Sequence, residues 1–113
     1  GELKHGPIAM IDKNMAVVVL APKDRWREKT ISNLQEVKAR GAIVLGIGDA
    51  ADSELRSLCN HWIRLPEVPS PVGENLLPFL LAPAIQLLSY EIAVLRGTDV
   101  DKPRNLAKSV TVE

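Results

Sequence analysis

The chain has 113 residues, 46% of them apolar and 25% charged. This is the size of one domain and the balance of a packed core under a solvated surface, which excludes a multidomain machine and a disordered tail. Fourteen Lys plus Arg offset fourteen Asp plus Glu, so the formal net charge is zero and offers no electrostatic footprint for nucleic acid or an anionic membrane surface.

The chain opens Gly1-Glu2-Leu3-Lys4, with no initiator Met and no basic-then-apolar signal pattern, and reads as a cut or processed fragment. Glu2-Leu3-Lys4-His5-Gly6-Pro7 crowds an acid, a base and an imidazole into four positions ahead of a Gly-Pro pair, which blocks helix and favours a fixed turn. An imidazole held there titrates near neutral pH and can pass a proton to an oxygen. The same residues also suit a surface loop of solvated charges.

Residues 16–21 form a continuous aliphatic run ended by Pro22 and predict a strand buried on both faces. Residues 24–40 contain no Gly or Pro and predict a helix, with Asp24 as N-cap, Trp26, Thr30, Leu34 and Val37 near one face, and Gly41 as the stop. Residues 42–47 predict a second buried strand and Gly48-Asp49 a turn. Residues 52–58 predict a short helix and 61–65 a third strand, stopped by Pro66. Strands joined by helical crossovers require a parallel sheet, so the class is α/β. Three strands make a thin sheet, and upstream elements are expected to cover one edge.

Pro66, Pro69 and Pro71 stiffen a loop leading to a helix near residues 74–96, which Pro78 or Pro83 should start or kink and Gly97 should end. The apolar stretch 76–88 is interrupted by Pro78, Pro83 and Gln86 and falls short of the ~20 residues of a membrane span. No membrane partner is expected. Residues 1–97 read as domain and 98–113 as a polar tail docking onto it. The single cysteine, Cys59, cannot close an intrachain disulfide, so nothing speaks for an oxidising compartment and the expected location is cytoplasmic.

In the tail, Lys108 is flanked by small and apolar residues. If buried, its amine would lose its proton and could attack a carbonyl to form a Schiff base; if solvated, it is an ordinary surface charge. His61, beside Trp62 in a strand, has no second His or Cys at ligand spacing, so no metal is expected. Gly46-Ile47-Gly48 lacks the third glycine of a dinucleotide fingerprint, and Asp49 would repel a phosphate. Trp26 and the apolar stripe of the last helix read as core or interface.

The two ends of the chain carry a resemblance. Glu2-Leu3-Lys4-His5-Gly6-Pro7, the run from Gly97 to Lys102, and the closing Pro-Arg-Asn-Leu-Ala-Lys-Ser-Val-Thr-Val-Glu, residues 103–113, resemble the end of the glutamine-fructose-6-phosphate amidotransferase family. The match includes Glu113 and extends more loosely through the middle.

The resemblance implies a partial flavodoxin-like sugar isomerase (SIS) domain, the second of two: a three-stranded parallel sheet with flanking helices and an extended C-terminal tail. It implies that the histidine at position 5 opens the cyclic sugar phosphate in a neighbouring subunit's site, and that Lys108 forms the imine with the open ketose. Arg104, Ala107 and Val110 would lie in the segment closing over the sugar.

The implied partners are fructose 6-phosphate and glucosamine 6-phosphate, a second copy in a homodimer, and an amino-terminal glutaminase domain and first SIS domain outside this chain. No cofactor is implied. The glutamate and lysine that shuttle protons would stand just upstream of Gly1, so the fragment alone is expected to be inactive. A non-catalytic SIS module that binds a phosphosugar for regulation is the alternative, and it would not need Lys108. A third reading is a structural half-domain that dimerises through the last helix.

Overall fold

The computed structural model describes residues 2–67 and 73–102. These belong to two compact units, Gly1–Leu81 and Ala82–Glu113. The first holds the sheet: β1 (Ala16–Ala21), α1 (Arg27–Ala39), β2 (Ile43–Asp49), α2 (Ser53–Leu58), β3 (His61–Leu65) and the opening turns of α3 (Gly73–Leu95). The strands lie in the order β1-β2-β3, all parallel, with Val17 opposite Val44, Val19 opposite Gly46, and Gly46 opposite Trp62.

Alternation along the strands makes two unlike faces. On one, Val17, Val19, Ala21, Val44 and Trp62 meet Ile31, Leu34 and Val37 of α1 and Leu55 and Leu58 of α2 in a single apolar cluster. Ile31, Leu34 and Val37 recur at three-residue steps, which puts them on one stripe of the helix. The other face buries Ile47 and Leu65 but leaves Val18, Leu20 and Ile43 exposed. β1 is therefore buried on one face only, where its aliphatic run predicts burial on both. The run satisfies the sequence criterion, but among the described residues a helical layer covers only one face of the strand.

Several boundaries shift for local reasons. Asp24 accepts the backbone N–H of Trp26 at 2.8 Å in a turn, so α1 begins only at Arg27. Trp26 leaves the core and is 52% exposed. Gly48 and Asp49 continue β2 where a turn is predicted. The two strand glycines face the indole of Trp62. A Cβ on Gly46 would stand 2.6 Å from the ring and from Cys59 Sγ, and one on Gly48 would stand 2.5 Å from the carbonyl oxygen of Ala21. The Gly-x-Gly pattern thus makes room for an aromatic ring on the neighbouring strand.

α3 runs through both Pro78 and Pro83, giving up two i→i−4 hydrogen bonds rather than starting at either proline. Its 23 residues are long and apolar enough, by length and composition alone, to cross a membrane, and its apolar window is not buried. The interrupted stretch 76–88 predicts no such helix. Phe79, Leu87, Tyr90, Val94 and Leu95 are all exposed, the pattern of a helix apolar on every side.

One polar cluster ties the two flanking helices together. Arg27, in the first turn of α1, grips Asp52 in a bidentate pair, with Nε to Oδ2 at 2.6 Å and Nη2 to Oδ1 at 2.7 Å. Asp52 in turn caps α2, its Oδ1 accepting the N–H of Leu55 at 3.0 Å. Glu54 and Glu28 take further guanidinium donors at 2.8 and 2.9 Å. The Asp52 carboxylate is only 6% exposed and Arg27 is 17% exposed, so the pair is largely withdrawn from water. The Arg27 guanidinium holds the Asp52 carboxyl below the usual carboxylate range, against the opposing effect of burial and with help from the Leu55 N–H.

A depressed carboxylate contributes stability that is complete above its unfolded-state value, about pH 3.9, and lost as pH falls through its lower folded-state value. Asp52→Asn is expected to cost about 2–3 kcal/mol near neutral pH, because it leaves a mostly buried guanidinium short of its main partner. The cost should shrink as wild type is acidified below about pH 4. Urea unfolding of both proteins across that range checks both size and sign.

Candidate functional site

His5 closes a four-residue 3₁₀ turn, Glu2–His5, and Gly6 follows with φ of 153°, a conformation that side-chain-bearing residues rarely adopt. A second such turn, Pro7–Met10, comes next. The Gly-Pro pair therefore does what its chemistry predicts and separates two short turns. Leu3 packs against the apolar cluster and Lys4 reaches Glu36 of α1 at 2.6 Å, while His5 is 72% exposed. The nearest carboxylate to the imidazole is Glu2, with Oε2 4.0 Å from Nδ1, beyond hydrogen-bond reach. Among the described residues none hydrogen-bonds the ring.

A crevice of about 400 Å³ opens at the carboxyl ends of the three strands, where open parallel sheets receive ligands. Pro22 and Pro66, each directly after a strand, form part of its wall with Leu77 and Leu80, and Lys23, Asp49, Glu74 and Asn75 supply the polar groups. Among the described residues the crevice offers one cation and two carboxylates. His5 does not line this crevice. Of the positions singled out in the sequence, Asp49 and the strand-ending Pro22 and Pro66 line it; Lys23, Glu74 and Asn75 carry no signal in the sequence.

A shallower hollow of about 520 Å³ is lined by Lys4, Trp26, Lys29, Thr30, Ser32 and Asn33. Arg25 and Lys29 each bring their charge 5.3 Å from the centroid of the Trp26 ring, which accounts for an exposed indole just before α1 by cation–π attraction.

His61 begins β3 and is exposed. Lys108, Arg104, Ala107 and Val110 lie outside the described residues. The one thiol, Cys59, is half-buried beside Gly46, and burial raises its pKa above that of a free thiol, with Lys38 acting weakly in the opposite sense. It is accordingly a packing residue and a poor nucleophile.

Comparison with known proteins agrees with this architecture. A family model described as SIS domain matches residues 1–96. The chain is 56% identical over 116 residues to a glutamine-fructose-6-phosphate aminotransferase [isomerizing] of Rhizobium meliloti. It is 57% identical over 114 residues to that of Brucella suis and 56% over 113 to that of Thermus thermophilus. Each alignment takes in all of this chain and 18% of the relative, so the chain spans under a fifth of the relatives' length. Among solved structures, the C-terminal domain of glucosamine-fructose-6-phosphate aminotransferase from Francisella tularensis aligns with a TM-score of 0.69 at 42% identity, covering 90% of this chain and 28% of that one.

Alkylation of Cys59 by iodoacetamide near neutral pH is expected to run at least about tenfold slower than that of glutathione and to speed up on unfolding, because the thiolate is the reacting species. Rates followed by mass spectrometry check this; a reaction as fast as glutathione's would contradict the packing role.

Proposed function

The chain belongs to the SIS domain family, and on that premise we propose that it is the part of a longer glutamine-fructose-6-phosphate aminotransferase that supplies two groups to the sugar isomerase reaction: the ring-opening acid His5 and the imine-forming amine Lys108. The observation that carries this reading is identity of 53–57% to aminotransferases of that name along the entire chain. The exposed imidazole of His5, without a hydrogen-bond partner among the described residues, supports it from the side of the geometry.

The chemistry assigned to each residue is simple. His5, protonated, donates to the ring oxygen of fructose 6-phosphate while the anomeric hydroxyl gives up its proton, and the ring opens to a ketone. Lys108, as a neutral amine, adds to the ketone carbon and expels water to leave an imine, a better electron sink than the ketone for moving a proton between neighbouring carbons. Arg104, Ala107 and Val110 are proposed to close over the sugar.

Glutamine hydrolysis and phosphate binding fall to other parts of the longer protein, so this chain alone is proposed to be inactive. The working unit is proposed to be a cytoplasmic homodimer in which His5 serves the neighbouring subunit's site; its outward presentation supports that arrangement.

Lys108→Arg in the full-length protein is expected to abolish imine formation although the charge is kept, because a guanidinium stays protonated and cannot become the nucleophile. The measurement is borohydride trapping with fructose 6-phosphate, followed by peptide mapping. An adduct at Lys108 that vanishes in the variant supports the assignment. An adduct that survives the substitution or maps to another lysine removes it.

A further inference from the structure

A four-residue 3₁₀ turn is poorly self-supporting, since its hydrogen bonds are few and badly aligned, and the glycine after His5 adds a pivot. The orientation of His5 must therefore come from anchors outside the turn. Two are visible. Leu3 sits against the apolar cluster, and Lys4 Nζ meets Glu36 Oε1 at 2.6 Å.

Leu3 fixes where the turn lies but one apolar side chain leaves its rotation free, whereas a charge held at the residue directly before His5 fixes that rotation. Glu36 is a firm base for this, because its neighbours on α1, Leu34 and Val37, are fully buried and hold the helix backbone in place.

We propose that Glu36 is a positioning residue for sugar ring opening: through Lys4 it sets the direction in which the His5 turn presents its imidazole. This rests on the role proposed above for His5. The two side chains are 55% and 33% exposed, and pairs of that kind contribute only ~0.2–1 kcal/mol. The corresponding effect is a loss of about 1.4- to fivefold in ring opening, against the ~10²–10⁴ expected from removing the proton donor itself.

The test uses the full-length protein and two substrates: fructose 6-phosphate, which is cyclic, and 5-deoxyfructose 6-phosphate, which lacks the hydroxyl needed to close the ring. Glu36→Gln is expected to lower kcat on the cyclic substrate about 1.4- to fivefold with KM and the acyclic rate unchanged. The double exchange Lys4→Glu with Glu36→Lys should restore the cyclic rate by rebuilding the pair in reverse.

His5→Ala run alongside separates the possible failures. If His5→Ala selectively slows the cyclic substrate while Glu36→Gln does not, the positioning role of Glu36 is overturned and the reading of His5 stands. If Glu36→Gln slows both substrates equally, the pair is merely structural and the inference fails. If His5→Ala shows no selective defect, the reading beneath the inference falls with it.

Discussion

The stripe of Ile31, Leu34 and Val37, buried against Ala21 and Val44 on one face of the parallel sheet, is the contact from which the rest of the first unit hangs. It positions α1, and α1 positions nearly everything polar. At its first turn Arg27 captures the cap of α2 through Asp52; two turns on, Glu36 takes hold of Lys4. Burial of apolar area supplies the energy, at ~25 cal/mol per Å². The partly exposed Lys4–Glu36 pair adds orientation more than stability, whereas the largely buried Arg27–Asp52 pair ties α1 to α2.

Among the described residues, this arrangement leaves apolar surface uncovered. Val18, Leu20 and Ile43 stand exposed on the second face of the sheet, and α3 is apolar around its circumference. Both features suit a domain whose longer relatives supply further elements, and the chain accounts for 18% of those relatives' length. The polar chemistry is similarly divided. The crevice at the strand ends gathers Lys23, Asp49, Glu74 and Asn75, while His5 does not line it and its side chain is exposed.

Much of the fold is legible in the sequence because its punctuation is strong. Aliphatic runs closed by Pro22 and Pro66 mark β1 and β3 to the residue, and Gly41, at φ of 85°, and Gly97, at 66°, stop their helices. Less legible are features that depend on distant partners. Trp26 looks like core because an indole is apolar, yet two neighbouring cations hold it at the surface. Gly46 and Gly48 look like a loop until Trp62 is set in register on the adjoining strand. The Arg27–Asp52 pair joins residues 25 apart in sequence, a spacing that no local pattern encodes. At the candidate site, the exposed turn of His5 follows from Gly6-Pro7, whereas Lys108, Arg104, Ala107 and Val110 rest on the resemblance of the closing motif.

The central claim, that His5 and Lys108 serve one composite isomerase site across two subunits, is tested most directly by mixing defects. His5→Ala and Lys108→Arg forms of the full-length protein, each inactive as a homodimer, would be co-expressed and assayed for glucosamine 6-phosphate formation. Random pairing makes half the dimers mixed, and each mixed dimer rebuilds one of its two sites from an intact His5 and an intact Lys108 on opposite subunits, so about a quarter of wild-type activity should return. If mixing restores no activity, the two residues do not complement each other across the dimer, and the account is contradicted.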